Sequence, residues 1–283
     1  MLSLAKAYHP GDQRWYAGLE LEVVRSQERG SVLKRIRHQG PLKVQRPFYP
    51  EGQEVCHLYI LHPPGGVVGG DLLEIDVLIS EGAHLLLTSP ASNKFYRSAG
   101  EQALLTQSFD VATGAVLEWL PQDTIYFEGA KVTSNTQFHL HQDAKLCAWE
   151  IQTFGRPAAE DYFANGTVRT SLEVWCQKRP IFVERGSFVG GDRMMYAPWG
   201  LHAQPVMGTL VMTNRGQHSC ASIVRDTLGV DHPLHCTEMA DLFVARYLGH
   251  CALQARALFE QVWTLLRPLL LNRNAHAPRV WRT

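Results

Sequence analysis

Gly82-Ala83-His84-Leu85, Gly114-Ala115-Val116-Leu117 and Asp143-Ala144-Lys145-Leu146 spell one pattern three times: a turn residue, an alanine, then the start of a strand. The alanines, 83, 115 and 144, are 32 and 29 residues apart. A period of that length points to stacked β-coils, in which each coil buries its face only against a neighbour. Three ordinary hairpin turns would spell the same letters. On either reading the chain is mainly β. Around this repeat, Leu19–Arg25 alternates apolar and charged residues as a half-buried strand does, and Val32–Arg37 and Pro41–Phe48 look similar. Further strands are predicted over Val55–Leu61, Leu72–Ile79, Ala83–Thr88, Gln102–Phe109, Ala115–Leu120, Thr136–His141, Leu146–Thr153, Thr167–Trp175, Ile181–Val189 and Val206–Thr213. Gly, Asn, Asp and Pro punctuate them.

After about residue 235 the period changes. Thr237 stands as a helix cap, Leu242, Ala245 and Leu248 fall on one face, and Gly249 ends the run. From Ala252, the residues Ala255, Leu258, Phe259, Val262, Leu265 and Leu266 recur at helical spacing until Pro268. The expectation is one domain over 1–283: β-rich over 1–235, two α-helices within 236–268, and an irregular tail over 269–283.

In 283 residues, 27 basic side chains cancel 27 acidic ones, and only 19% are charged. Such a chain has little self-repulsion, which suits a protein that lives in a complex. The balance excludes a general nucleic-acid binder. No apolar run nears the ~20 residues that span a bilayer. Residues 1–15 carry His9, Asp12 and Arg14 and no apolar leader core, and the six cysteines form no C-x-x-C pair. Both features fit reduced thiols and a cytoplasmic location. Charge is unevenly placed. Arg25–Arg46 holds seven basic residues and one acid, Glu28. From Arg46 to Lys94 there is no cation but six carboxylates: Glu51, Glu54, Asp71, Glu74, Asp76 and Glu81. Docking surfaces of opposite sign and ordinary solvated strand faces are both compatible with this.

Few motifs carry chemistry. Gly65-Gly66-Val67-Val68-Gly69-Gly70-Asp71 lacks the Gly-Lys-Ser/Thr of a phosphate loop and leads into a strand, so it reads as a tight turn. Asp71 reads first as its buried anchor, with a transient cation ligand as the other role. His139 and His141 share a strand face, and Asp231-His232-Pro233-Leu234-His235-Cys236 crowds four ligand types together. Imidazole suits nickel or zinc, but neither spacing is that of a closed zinc site. Ser31-Val32-Leu33-Lys34 has none of the companions of a serine nucleophile. Glu118, Asp123, Glu128, Glu150 and Glu184 offer carboxylates that spacing alone does not pair.

Longer blocks carry a resemblance. They are His62-Pro63-Pro64 with Gly65, Gly66, Gly69, Gly70 and Asp71; Leu87-Thr88; Asn93-Lys94-Phe95-Tyr96-Arg97; and Leu117-Glu118-Trp119-Leu120-Pro121-Gln122 with Phe127-Glu128. Glu150 with Phe154-Gly155-Arg156, Pro180–Arg185, Arg267-Pro268 and Pro278-Arg279-Val280-Trp281 complete the series. Together, in this order and over nearly the whole chain, they resemble the urease accessory protein UreD family, called UreH in some systems. Ser89-Pro90-Ala91-Ser92 departs from the Thr/Gln/Ala-rich stretch more usual there, which bears on local backbone. The resemblance implies a non-catalytic scaffold of β-rich, coiled fold with two helices near its C-terminus. It implies that the scaffold binds apo-urease and recruits UreF and, through it, the nickel-carrying GTPase UreG for nickel insertion. No tightly bound cofactor is expected, only transient Ni(II).

A delivered ion must be held weakly enough to leave, so sparse carboxylates along a passage suit the task better than a closed site. Asp71, Glu150 and Glu184, each inside such a block, are the passage candidates. His139, His141, His232, His235 and Cys236 are weaker ones. Two other classes stay open: a polysaccharide-acting enzyme using carboxylates such as Glu118 and Asp123, and a nickel-binding protein using His232, His235 and Cys236.

Overall fold

The computed structural model describes residues 15–216, 218–229 and 231–282. The leader-free reading of residues 1–14 lies outside the described residues. The elements are β1 (Tyr16–Ser26), β2 (Gly30–Gln39), β3 (Lys43–Val44), β4 (Cys56–Leu61), β5 (Leu72–Ile79), β6 (His84–Thr88), β7 (Asn93–Phe95), β8 (Ala103–Val111), β9 (Val116–Trp119), β10 (Thr124–Tyr126), β11 (Lys131–Leu140), β12 (Lys145–Arg156), β13 (Asp161–Tyr162), β14 (Thr167–Cys176), β15 (Arg179–Val189), the short α1 (Arg193–Tyr196), β16 (Val206–Thr213), α2 (Cys220–Leu228), β17 (Leu234–Glu238), β18 (Leu242–Gly249) and α3 (Ala252–Leu271).

The strands wind into a β-solenoid of about four turns. One face stacks β1, β5, β8, β11 and β14 in parallel, closed at its ends by antiparallel β2 and β15. A second face stacks β4, β6, β9 and β12 in parallel, then adds antiparallel β16, β18 and β17. A short third face is β7 on β10 on β12. The stacked-coil reading of the repeat holds. Gly82, Gly114 and Asp143 all have positive φ (65°, 66° and 57°), and each opens one corner of the coil. Ala83, Ala115 and Ala144 are fully buried behind them. The corners stack through Val116 N–H donating to the Ala83 carbonyl (2.8 Å) and Lys145 N–H to that of Ala115 (2.8 Å).

Alternation fills the lumen. In β5, Leu73, Ile75, Val77 and Ile79 point inward; in β11, Val132, Ser134, Thr136, Phe138 and Leu140 do. Aromatic residues stack from coil to coil, Phe109 on Phe138 with centroids 4.9 Å apart and Phe95 on Tyr126 at 5.6 Å. A second core lies between the second face and α3, where Leu86, Trp149, Leu210 and Phe243 meet Phe259, Val262, Trp263 and Leu266. This is why β6 is buried at every position: Leu85 and Leu87 face the lumen and Leu86 faces the helix.

The first of the two expected helices, over 237–249, is not one. Residues 242–249 form β18, between β16 and β17. Leu242 and Val244 enter the lumenal core, and Phe243, Ala245 and Tyr247 the helix-side core. A strand buried on both faces is apolar at nearly every position, so helical spacing is found in it by default. Thr237, expected as a cap, lies within β17. Pro268 does not end α3; it sits on the exposed side while Leu266, Arg267, Leu270 and Leu271 are buried around it, and Asn272 (φ 57°) ends the helix instead. Over Pro41–Phe48 only Lys43–Val44 pairs as a strand. The nine-residue α2 has no counterpart in the sequence reading, and the 269–282 tail is docked: Trp281 packs on Trp149 and Trp263 (5.6 Å each) and donates Nε1–H to Thr88 Oγ1 at 2.9 Å.

Candidate functional site

The lumen is not filled throughout. A cavity of about 370 Å³ lies inside the coils. Its mouth is made by His62, Pro63, Gly65, Ser89–Lys94, Pro121 and Gln122; its walls include Leu73, Ile75, Leu105 and Trp119, and then Gln107, Ser134, Glu150 and Gln152. Register explains the change of wall. Leu73 stacks on Leu105 and Leu105 on Ser134; Ile75 stacks on Gln107 and Gln107 on Thr136. Both of these inward columns turn from apolar to polar from coil to coil, while Val77–Phe109–Phe138 and Ile79–Val111–Leu140 stay apolar. Trp119 Nε1 and Gln152 Oε1, both in that wall, have no hydrogen-bond partner among the described residues, so the wall presents a free donor and a free acceptor.

The polar side converges on Glu150. Gln107 Nε2–H donates to Thr136 Oγ1 (2.9 Å), and Thr136 Oγ1–H donates to Glu150 Oε1 (2.5 Å). Glu150 lines the cavity wall. Burial raises its carboxyl, the Thr136 hydrogen bond opposes this, and the charge of Glu184 adds to the rise, leaving it at about 7. Glu184 belongs to β15. It accepts from Thr209 Oγ1–H (2.6 Å) and from Arg246 Nε–H (2.8 Å). Glu150, Thr209 and Arg246 are direct partners across β12, β16 and β18, so their side chains share the lumenal side of that sheet. A file of polar groups therefore runs from Gln107 through Thr136 and Glu150 to Thr209, Glu184 and Arg246.

Asp71 takes the anchor role. It is buried, and its Oδ2 accepts the Val68 N–H (2.9 Å), closing the glycine turn. Burial lowers His62 at the mouth, and the nearby Asp71 charge partly restores it. The turn is glycine-rich for a local reason: a Cβ on Gly66 would run into the Tyr96 ring. Tyr96 packs on Phe127 (4.9 Å), and Arg156 lies 5.0 Å over Phe127. Arg97 pairs with Glu128 at 3.3 Å and Arg156 with Asp161 at 2.8 Å, so these blocks line an outer groove, apart from the cavity. Lys94, by contrast, joins the cavity mouth.

Glu118 is not placed for general acid chemistry. It is fully buried and receives Trp263 Nε1–H (2.7 Å), Arg267 and His84. Burial alone would raise it, but the His84 hydrogen bond and the Arg267 charge bring it down to about 2. Asp123 accepts from Ser92 Oγ–H at 2.5 Å and Thr153 Oγ1–H at 3.4 Å. The histidines also scatter. His139 projects outward from β11, and His141 follows that strand and pairs with Asp110 at 3.1 Å. His232 Nδ1 accepts the Leu234 N–H (3.3 Å), His235 is exposed, and burial pushes the Cys236 thiol up to about 11, away from thiolate chemistry. Among the described residues no group of three His, Cys, Asp or Glu is arranged to hold a metal ion.

A sequence model described as "UreD urease accessory protein" matches residues 16–282. The chain belongs to the UreD family. The chain is similar to the urease accessory protein UreD of Klebsiella aerogenes, 40% identical over 275 residues that cover 97% of this chain and 99% of that one. The UreD of Citrobacter koseri is 42% identical over 271 residues, covering 95% and 92%, and that of an Enterobacter species 41% identical over 271, covering 95% and 96%. UreD proteins are accessory proteins, and the chain is not an enzyme. No helix among the described residues is long and apolar enough to cross a membrane.

Sequence reasoning found Glu150 and Glu184 but missed Gln107, Thr136, Thr209 and Arg246. A signal was present for two of them. Gln107 and Thr136 occupy inward positions of strands whose other inward positions are mostly apolar, and such a break in the alternation marks a polar lumen.

Proposed function

We propose that the protein is a cytoplasmic scaffold of urease maturation that gives the nickel ion a passage through its lumen. It binds apo-urease and recruits UreF and, through UreF, the nickel-carrying GTPase UreG. Nickel is cargo here and not a resident cofactor. The observation that carries the reading is the file in which Gln107 and Glu150, both in the wall of the solenoid cavity, are bridged by Thr136, with Thr209 and Glu184 following in the sheet behind them. Membership of an accessory family supports it, because cargo must leave again. Neutral oxygen donors and one carboxyl near its titration point hold a divalent ion loosely, and loose multi-site binding is what conduction requires. Glu150 and Glu184 line the route, while Asp71 shapes its mouth by holding the turn beside His62.

The test is co-expression of the chain with apo-urease and the accessory proteins, purification through a tag on this chain, and assay of nickel-dependent urease activity. Urease and UreF are expected to co-purify. Glu150→Gln and Glu184→Gln are expected to assemble normally and to lower activation at least tenfold. Full activation by both variants would remove the passage.

A further inference from the structure

The far end of the polar file carries a cation of its own. Arg246 Nε lies 2.8 Å from Glu184 Oε1, and Thr209 holds the other oxygen, so both oxygens of Glu184 are engaged. Glu150 and Arg246 flank Thr209 in the register of the sheet, and Thr209 and Arg246 both donate to Glu184. On the passage reading, a divalent ion that moves on from Glu150 to Glu184 competes there with Arg246. The arginine is free to yield: its side chain is 45% exposed, and that of Glu184 26%. Its guanidinium also lies 5.7 Å from the centre of the Phe182 ring, a second, uncharged resting place. An ion pair this exposed is worth little, so a doubly charged competitor can displace it.

We infer that Arg246 is the gate of this passage: its guanidinium occupies the Glu184 carboxylate until an arriving divalent cation displaces it, and returns as the ion leaves. The inference rests on the passage reading above. The charge count balances. Before exchange Glu184⁻ is paired with Arg246⁺; after it, the Glu184 and Glu150 carboxylates together balance the dication, and the guanidinium stands in solvent with a counter-ion. A resident cation of this kind keeps the carboxylate from retaining metal, which a closed site would do. It also accounts for an arginine on the lumenal side of β18, where the preceding positions on that side, Leu242 and Val244, are core residues.

The test uses the full chain, with nickel chloride alone as the probe, by calorimetric titration at pH 7.5. Arg246→Met is expected to bind Ni²⁺ about tenfold more tightly than the parent chain, since a repelling charge and a competitor for the same oxygens are both gone. The gain is expected to vanish in Arg246→Met/Glu184→Gln. Arg246→Lys, which keeps the charge and cannot reproduce the planar donor, is expected to fall between parent and Met, and it decides the matter where the Met variant is insoluble. Equal affinity in parent and Arg246→Met, or a gain that survives Glu184→Gln, overturns the gate. Co-expression separates the two readings: where Glu184→Gln blocks urease activation and Arg246→Met leaves Ni²⁺ affinity unchanged, the passage stands without a gate; where Glu184→Gln and Glu150→Gln both activate urease fully, the passage itself falls and the gate with it.

Discussion

Arg267 Nη2 lies 2.8 Å from Glu118 Oε1, and neither side chain reaches solvent, although 149 positions separate them in the chain. The contact ties α3 to β9 in the second face of the solenoid. It is one edge of a larger cluster. Arg267 also holds Glu51 (2.6 and 2.9 Å), His57 bonds Glu51 (2.7 Å), and His84 bonds Glu118 (2.7 Å). Every charged atom of the guanidinium is engaged, which makes its burial tolerable.

Removing Arg267 leaves two buried carboxylates without their cation. Arg267→Met is expected to cost about 3–5 kcal/mol of unfolding free energy, the range for breaking a buried pair on one side. Urea denaturation followed by tryptophan fluorescence measures it, because Trp263 and Trp281 lie on the same helix seam. A loss below about 1 kcal/mol would mean that the cluster contributes little to the docking of α3.

The same cluster sets acid stability. Glu118 stands at about 2 in the folded chain against an ordinary 4.5. Below pH 4.5 the unfolded chain takes up a proton that the folded chain refuses. Stability is therefore full above that value and is lost as pH falls toward 2, by about 3 kcal/mol. Glu51, also held below its ordinary value, adds loss in the same direction. Unfolding free energies measured at pH 6, 4 and 3 are expected to decline, and the Glu118→Gln chain, already destabilised, to decline less steeply.

The docked tail gives a separate prediction. Trp281 touches Trp149 and Trp263, lies 4.3 Å from the Arg256 guanidinium, and bonds Thr88. Trp281→Ala is expected to cost about 2–3 kcal/mol, less than a fully buried tryptophan because its side chain is half-buried. A melting curve checks it, and Trp281→Phe is expected to recover about half, keeping the stack and losing the hydrogen bond.

How much of this was legible depends on the range of the interaction that decides it. The corners at Gly82, Gly114 and Asp143 are local: a turn that demands positive φ and a buried alanine recur at one period, so the coil could be read. Leu72–Ile79 and Val206–Thr213 are strands from end to end as expected. β18 was illegible because burial on both faces erases the alternation that distinguishes strand from helix. Pro268 misled because a proline's cost, about 3 kcal/mol in a helix, is offset by tertiary contacts of Arg267, Leu270 and Leu271 that no local rule contains. The pairing of Glu118 with Arg267, and of Glu184 with Arg246 62 positions away, exists only once the coils are wound.

Glu150 joins stability to the proposed passage, with the opposite sign to Glu118. Its carboxyl stands at about 7 in the folded chain and at the ordinary 4.5 when unfolded. Between those values the folded chain holds a proton that the unfolded chain has released, so stability contributed by this residue falls as pH rises from 4.5 to 7. Above pH 7 the ionised group costs about 2–3 kcal/mol, an amount reduced by the part of the side chain that faces the cavity. Glu150→Gln keeps the shape and abolishes the titration. It is expected to match the parent chain in stability near pH 4 and to exceed it by about 2 kcal/mol at pH 8, in paired urea titrations. The same substitution is expected to lower urease activation in co-expression. A chain that gains stability and loses activation at one position marks a group kept for its chemistry and not for the fold. Equal stability of the two chains at both pH values would show that Glu150 ionises as freely as a surface carboxylate, and the cavity would then be open to bulk water at that wall.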